Sequence, residues 1–207
     1  MHFLKAAATS RGFSLEDAMA WLSDVRDAAH RLKTADRVLV VGCSGGGKTT
    51  LARKIATRFS LPFISMDREF FWLPGRVARA RPEQRALIAE RIKRDRWIMD
   101  GTNTSSFDLR LPRTDIVLWV RMPRLICVWG AVSRWLKWIG RTRPEMTPGC
   151  PEQVDLEFLR YIWNFEKKHS PMVLAAMAAH GPDVFPVLQL KSRHQMRELL
   201  DLLGSPA

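Results

Sequence analysis

Val38-Leu39-Val40-Val41-Gly42-Cys43-Ser44-Gly45-Gly46-Gly47-Lys48-Thr49-Thr50 is the stretch that decides how this chain folds. Four β-prone residues run into a glycine-rich turn, and Lys48 and Thr49 then open a segment of helical periodicity. The spacing from Gly42 to Thr49 satisfies G-x-x-x-x-G-K-[ST] in full. Glycines let the backbone curl until successive N–H groups point at one anion. A helix over about 48–59 aims its unpaired N-terminal donors and its dipole at the same point. Three consecutive glycines cost backbone entropy at a helix start, which makes little sense without a ligand. Gly42, Cys43, Ser44, Gly45, Gly46, Gly47, Lys48, Thr49 and Thr50 are therefore the phosphate-contacting candidates. Lys48 can reach the outer phosphates and the Thr49 hydroxyl can ligate Mg²⁺. Cys43 reads as a small side chain in a loop whose chemistry comes from its backbone.

The 207 residues suit one domain with a full core, and 46% apolar with 26% charged residues is ordinary for a globular chain. No apolar run approaches the roughly 20 residues needed to span a bilayer. Residues 1–6 carry only a weak apolar segment, soon interrupted by Arg11, Glu16 and Asp17, which argues against a signal peptide. Cys43, Cys127 and Cys150 are odd in number and scattered, so a reducing, cytoplasmic setting is expected. The five histidines do not cluster, so no zinc site is read, and G-x-S-x-G is absent. The net charge of +12 lies entirely after Asp36, because residues 1–36 carry five basic and five acidic groups. Two explanations compete for it: a nucleic-acid-binding face, and an arginine-lined polyphosphate site on a generally basic surface.

Along the chain, apolar spacing predicts one amphipathic helix from Ser14 to about Leu32, a linker over 33–36, and thus an N-terminal helical extension over 1–36. The domain proper is expected over 37–207. Its first buried strand covers 37–41 and a second covers 61–66, closed by Asp67. Asp67 stands where open α/β sheets place ligands; it either caps the next turn or serves as a substrate contact, a Mg²⁺-water contact or a base. The aromatic run through Trp72 to Pro74-Gly75 walls a substrate pocket or joins the core, and Arg76 and Arg79 beside it are substrate-contact candidates. A helix from Pro82 to about 95 and a short strand over 97–99 lead to Asp100. A carboxylate after a core strand suits water-mediated Mg²⁺ binding; an N-cap or Asx turn is the alternative. Arg110 and Arg113 follow within reach of the same edge. A strand over 116–120, a helix over about 124–139 and a turn-rich segment over 140–151 come next. That segment reads as an exposed, mobile lid carrying Arg141 and Arg143, or as a plain connector. Helices over 152–169 and 172–179, a strand over 184–190 that is central or near it in its apolar half, with Pro186 arguing for one poorly bonded edge, and a helix over 195–203 capped by Ser192 complete the chain.

These motifs resemble the adenylate kinase-like P-loop proteins, and more closely the bacterial group labelled "DNA topology modulation protein". The resemblance rests on the phosphate loop, Asp67 with Trp72-Leu73-Pro74-Gly75, Asp100-Gly101-Thr102-Asn103, Pro123-Arg124, and Gly140-Arg141-Thr142-Arg143-Pro144-Glu145-Met146-Thr147-Pro148-Gly149-Cys150. It implies a three-layer α/β/α P-loop fold with a five-stranded parallel sheet and a short lid. By analogy with nucleoside monophosphate kinases it implies that Lys48 and Thr49 handle ATP phosphates and Mg²⁺, that Asp100 matches the Asp of an Asp-Gly-aromatic-Pro-Arg motif, and that Arg134, Arg141 and Arg143 flank and enter the lid. Arg110 and Arg124 complete the substrate-contact candidates. Thr102-Asn103-Thr104 replaces the aromatic-Pro-Arg part, so AMP is not assumed as acceptor. The expected activity is ATP·Mg²⁺-dependent phosphoryl transfer to a small-molecule or nucleotide acceptor, without a membrane partner. A nucleotide-dependent DNA-binding or regulatory protein is the alternative.

Overall fold

The computed structural model describes residues 20–22, 24–182 and 185–204. At its centre lies β2 (Arg37–Gly42), whose residues after Arg37 are all buried. It runs parallel to β6 (Trp97–Asp100) on one side and β7 (Ile116–Val120) on the other. β3 (Phe63–Ser65) pairs with β6, and β8 (Pro186–Leu190) with β7, all in parallel. A sixth strand, β1 (Ala20–Leu22), pairs with β8, giving the order β1-β8-β7-β2-β6-β3. This is the three-layer α/β/α fold of P-loop nucleotide-binding proteins, with one strand more than the five expected.

The extra strand corrects the reading of the N-terminal segment. The part of the expected helix over 14–19 lies outside the described residues. Over 20–22 the chain is a strand, and helix α1 (Val25–Leu32) starts only at Asp24, whose carboxylate accepts from the Arg26 amide. Trp21 and Leu22 explain the difference. Trp21 stacks on Trp119 at 6.2 Å between centroids, while Leu22 joins the core on the opposite face of the sheet. That is a period of two, and β8 offered an unpaired edge to take it. Pro186 accordingly marks no edge of β8, which lies between β1 and β7 in agreement with the central position read from its apolar half. It is the first residue of an interior strand, where a missing N–H is tolerated.

Alternation along the strands sorts the core into two layers. Val38, Val40, Ile98, Leu118 and Leu188 face α1, α2 (Lys48–Phe59), α5 (Arg124–Lys137), α6 (Leu156–Lys168) and α8 (Arg193–Leu202). Leu39, Val41, Met99, Val117 and Val187 face α3 (Arg81–Arg91), α4 (Phe107–Arg110) and α7 (Ser170–His180). Capping follows local chemistry: the Asp155 carboxylate accepts from the Phe158 amide at the start of α6, and the Ser192 hydroxyl from the Gln195 amide at the start of α8. Between β3 and α3 the aromatic run forms a tight π-helical turn (Asp67–Phe71) and a small antiparallel hairpin, β4 (Trp72–Leu73) with β5 (Val77–Ala78). Among the described residues, no helix is long and apolar enough to cross a membrane.

Candidate active site

The phosphate loop leaves the C-terminal end of β2 and lies against its neighbours backbone to backbone. Gly45 has φ +78, and a Cβ there would stand 1.9 Å from the Cys127 carbonyl oxygen. Gly130 of α5 meets the loop from the other side, since its Cβ would fall 2.1 Å from the Gly45 oxygen. Two glycines facing each other thus let helix and loop touch. The Thr102 hydroxyl accepts from the Gly42 N–H (2.8 Å) and donates to the Gly42 carbonyl (2.7 Å), fixing the loop's first residue. Lys48 Nζ donates to the Cys43 carbonyl at 2.8 Å. The Cys43 side chain turns into the core, near the Ile162 carbonyl. Its hydrogen bond with Cys127 and its burial push its thiol pKa up and keep it protonated.

Thr49 and Asp100 meet at the loop's exit. The Thr49 hydroxyl donates to Asp100 Oδ2, while Asp100 Oδ1 is buried without a protein partner. Burial raises the Asp100 pKa, and Asp67 adds to this; Lys48, the Thr49 hydroxyl and Arg143 pull the other way. An orphaned carboxylate oxygen beside a hydroxyl and an ammonium group fits a hydrated Mg²⁺, a hard cation that takes oxygen ligands and keeps several waters. The capping alternative for Asp100 falls to Asn103, whose side chain accepts from the Ser105 amide and caps the turn Thr104–Ser106.

These groups line one cleft of about 880 Å³, which also receives Asp67, Phe71, Arg134, Arg143, Tyr161 and Arg193. Asp67 opens the turn after β3, yet Ser65 rather than Asp67 accepts the Arg68 amide there. The Asp67 carboxylate lies instead 3.7 Å from Arg143 Nη2. Arg143 Nε lies 2.8 Å from Glu152 Oε2, and Arg134 Nε and Nη2 lie 2.8 and 2.7 Å from Glu152 Oε1. One buried carboxylate therefore holds both arginines. Burial lowers the Arg134 pKa, and the Arg143 charge lowers it further; Glu152 opposes both.

Residues 140–151 are only in part the exposed loop expected from their turn-rich composition: Gly140, Arg141, Pro144, Pro148 and Gly149 are exposed, but the segment is anchored. Met146, Thr147 and Cys150 are buried. The Thr147 hydroxyl bonds the carbonyls of Arg68 and Trp72, Cys150 Sγ donates to the Leu73 carbonyl, and the Ser65 hydroxyl to that of Glu145. Glu145 also pairs with Arg53 of α2. The segment is strapped across the aromatic hairpin, and this delivers Arg143 to the cleft.

The other sequence-derived candidates lie elsewhere. Arg141 is exposed outside the cleft lining. Arg76 lies over the Trp72 ring and donates to the Pro151 carbonyl, while Arg79 binds the Phe70 carbonyl and pairs with Glu83. Trp72 belongs to the hairpin that carries the strap, and Arg124 stacks over Trp163 at 4.1 Å. Arg110 is fully buried; it donates to the carbonyls of Gly101 and Asn103, and burial brings its pKa down to about 9. It braces the turn that carries Thr102. The sequence reading missed Thr102 as a loop clamp, Gly130, Glu152 and Arg193. Gly130 was visible as a glycine interrupting an apolar helix, and Glu152, with Glu145, as an acid close to the turn that carries Arg141 and Arg143.

No family model matches the sequence. Curated proteins also give no match. Among solved structures, the chain is similar to shikimate kinase from Bacteroides thetaiotaomicron, at 17% identity over 82% of this chain and 96% of that one, with a TM-score of 0.48. It is likewise similar to shikimate kinase from Acinetobacter baumannii in complex with shikimate, at 13% identity over 84% of this chain and 94% of that one, with a TM-score of 0.47.

Proposed function

We propose that the protein transfers the terminal phosphoryl group of ATP to a small-molecule acceptor bound at the Asp67 end of the cleft. The observation that carries this reading is the meeting of Lys48, Thr49 and the buried, half-partnered Asp100 in one cleft with Asp67 and Arg143. The loop amides and Lys48 bind the outer phosphates of the donor. Thr49 and Asp100 would hold Mg²⁺, which would supply Lewis-acid neutralisation of phosphate charge when bound. Arg143 and Arg134, positioned by Glu152, stabilise the charge spread over the group in transfer. Asp67 takes the proton of an acceptor hydroxyl as its oxygen bonds to phosphorus and the bond to ADP breaks; toward an acceptor that is already a phosphate it serves as a positioning group.

The test is ADP production with ATP·Mg²⁺ against a panel of nucleosides, nucleotides, small hydroxy compounds and DNA, with Lys48→Ala as control. Strong stimulation by one small compound, lost in the control, supports the kinase reading and identifies the acceptor. Stimulation by DNA alone overturns it in favour of the nucleic-acid reading that the net charge of +12 raised.

A further inference from the structure

The cleft has a wall that phosphate chemistry does not explain. Tyr161, Phe165 and His169 recur every four residues along α6 and into its junction with α7, so they share one face of the helix. All three line the cleft, as do Met172 and Val173 of α7. Phe165 is buried and fixes the two half-buried rings beside it. It meets Tyr161 edge-on at 5.6 Å between centroids and stacks on His169 at 5.5 Å, while Tyr161 and His169 stand 4.8 Å apart. Neither the Tyr161 hydroxyl nor the His169 imidazole has a hydrogen-bond partner among the described residues.

The wall runs toward the acceptor end. Tyr161 and Phe165 belong to the apolar layer that includes Cys43, whereas Val173 packs in the layer that holds Phe70 and Phe71 of the Asp67 turn. Burial, and then neighbouring Cys43 and Asp67, raise the Tyr161 pKa, so its hydroxyl remains a donor. Half-exposed rings with a free donor suit a planar ring that carries polar atoms at its edge.

Charge narrows the class. Around Asp67 the charges cancel, since Arg134 and Arg143 face Glu152 and Asp67. Within the phosphoryl-transfer reading both arginines serve the group in transfer. Of the other cations in the cleft, Arg193 lies beside Gly47 of the donor loop, Arg53 pairs with Glu145, and Lys137 is exposed one turn beyond Arg134. The aromatic wall itself carries no lysine or arginine, so a carboxylate or phosphate held against it would lose water without gaining a partner.

Resting on the phosphoryl-transfer reading, we propose that the acceptor is an uncharged alcohol carried on a heteroaromatic ring, as in a nucleoside, with the ring against Tyr161 and His169 and the hydroxyl at Asp67. The hydroxyl oxygen bonds to the terminal phosphorus as the bond to ADP breaks, and Asp67 takes the proton.

Binding and transfer are measured separately. With the donor site filled by a non-hydrolysable ATP analogue and Mg²⁺, saturation-transfer NMR is expected to show the ring protons of thymidine or adenosine against the protein, with ribose and glycerol giving no signal. With ATP·Mg²⁺, kcat/KM for the nucleoside is expected to exceed that for its 5′-monophosphate by about tenfold or more. Tyr161→Leu is expected to raise the acceptor KM about tenfold and Tyr161→Phe about threefold, with circular dichroism and ATP affinity unchanged. Absence of ring contact overturns the inference. Preference for the monophosphate or for an aliphatic hydroxy compound also overturns it, and leaves the kinase reading standing. Ring contact without phosphoryl transfer to any compound overturns the acceptor role together with the kinase reading. A Tyr161→Leu chain that loses ATP affinity instead overturns the inference in favour of a wall that holds the donor base.

Discussion

The two walls of the cleft are built by different means. On the donor side, Gly42 to Thr49 are contiguous, and the contacts that hold the loop act largely on its backbone: Gly45 packs against Gly130, and the Gly42 N–H and carbonyl both bond the Thr102 hydroxyl. On the acceptor side, Asp67, Arg134, Arg143 and Glu152 come from three segments (the turn after β3, α5 and the loop between α5 and α6) and meet through side-chain ion pairs. A backbone cradle tolerates change in most of its side chains and none in its glycines. A charge network tolerates changes around it, but it collapses when its shared carboxylate is removed.

The largest expected effect is on the donor wall. Lys48→Ala should lower kcat/KM by about 10³-fold in ADP-release assays, because it removes a charge realised on the transferring phosphates. Gly130→Ala should come next and needs no contact with substrate. Its methyl group would sit on the Gly45 carbonyl, so nucleotide affinity should fall by about tenfold or more in calorimetric titration, with a lower Tm. Glu152→Gln tests the acceptor wall. It leaves Arg134 and Arg143 near each other without their carboxylate, and turnover should fall up to about 10²-fold with resting ATP affinity within about threefold. If ATP affinity falls equally, the two walls are one unit and the comparison fails.

A smaller effect concerns pH. Burial raises the Asp100 pKa above 3.8, so between 3.8 and the raised value the native chain binds a proton that the unfolded chain does not. Asp100 then costs stability as pH rises through that window, and the cost is relieved on acidification. Mg²⁺ binding has the opposite sign, because protonating Asp100 removes the charge that holds it. Acidification should therefore weaken ATP·Mg²⁺ binding at a higher pH than an ordinary aspartate would, and Asp100→Asn should abolish that dependence in Mg²⁺ titrations. The smallest effects belong to arginines outside the cleft: Arg124→Ala and Arg141→Ala should change kcat/KM by less than about twofold. A large loss at Arg141 would mean that the strap moves far enough in turnover to bring it to the phosphates.

How much of this was legible in the sequence follows the same division. Strand β2, the loop and α2 could be read because buried strand, glycines and lysine are neighbours whose spacing is set by the phosphate. Asp100 could be read from its place at a strand end. The strap over 140–151 was only partly legible because glycines and prolines signal turns wherever the chain goes; its anchoring depends on Thr147 and Cys150 finding carbonyls more than seventy residues away. Arg110 looked like a ligand contact since an arginine's charge carries no sign of whether carbonyl oxygens will enclose it.

The sequence by itself determined the parallel α/β core and the anion-binding turn, because hydrophobic periodicity and glycine backbone freedom act over a few residues and leave a local record. Only the tertiary structure decided that residues 20–22 extend the sheet, that Gly130 admits the loop, and that Glu152 gathers two arginines beside Asp67. Each of those depends on groups distant in sequence meeting at ångström separations, and desolvation and ion pairing set their energies only after the chain has brought them together.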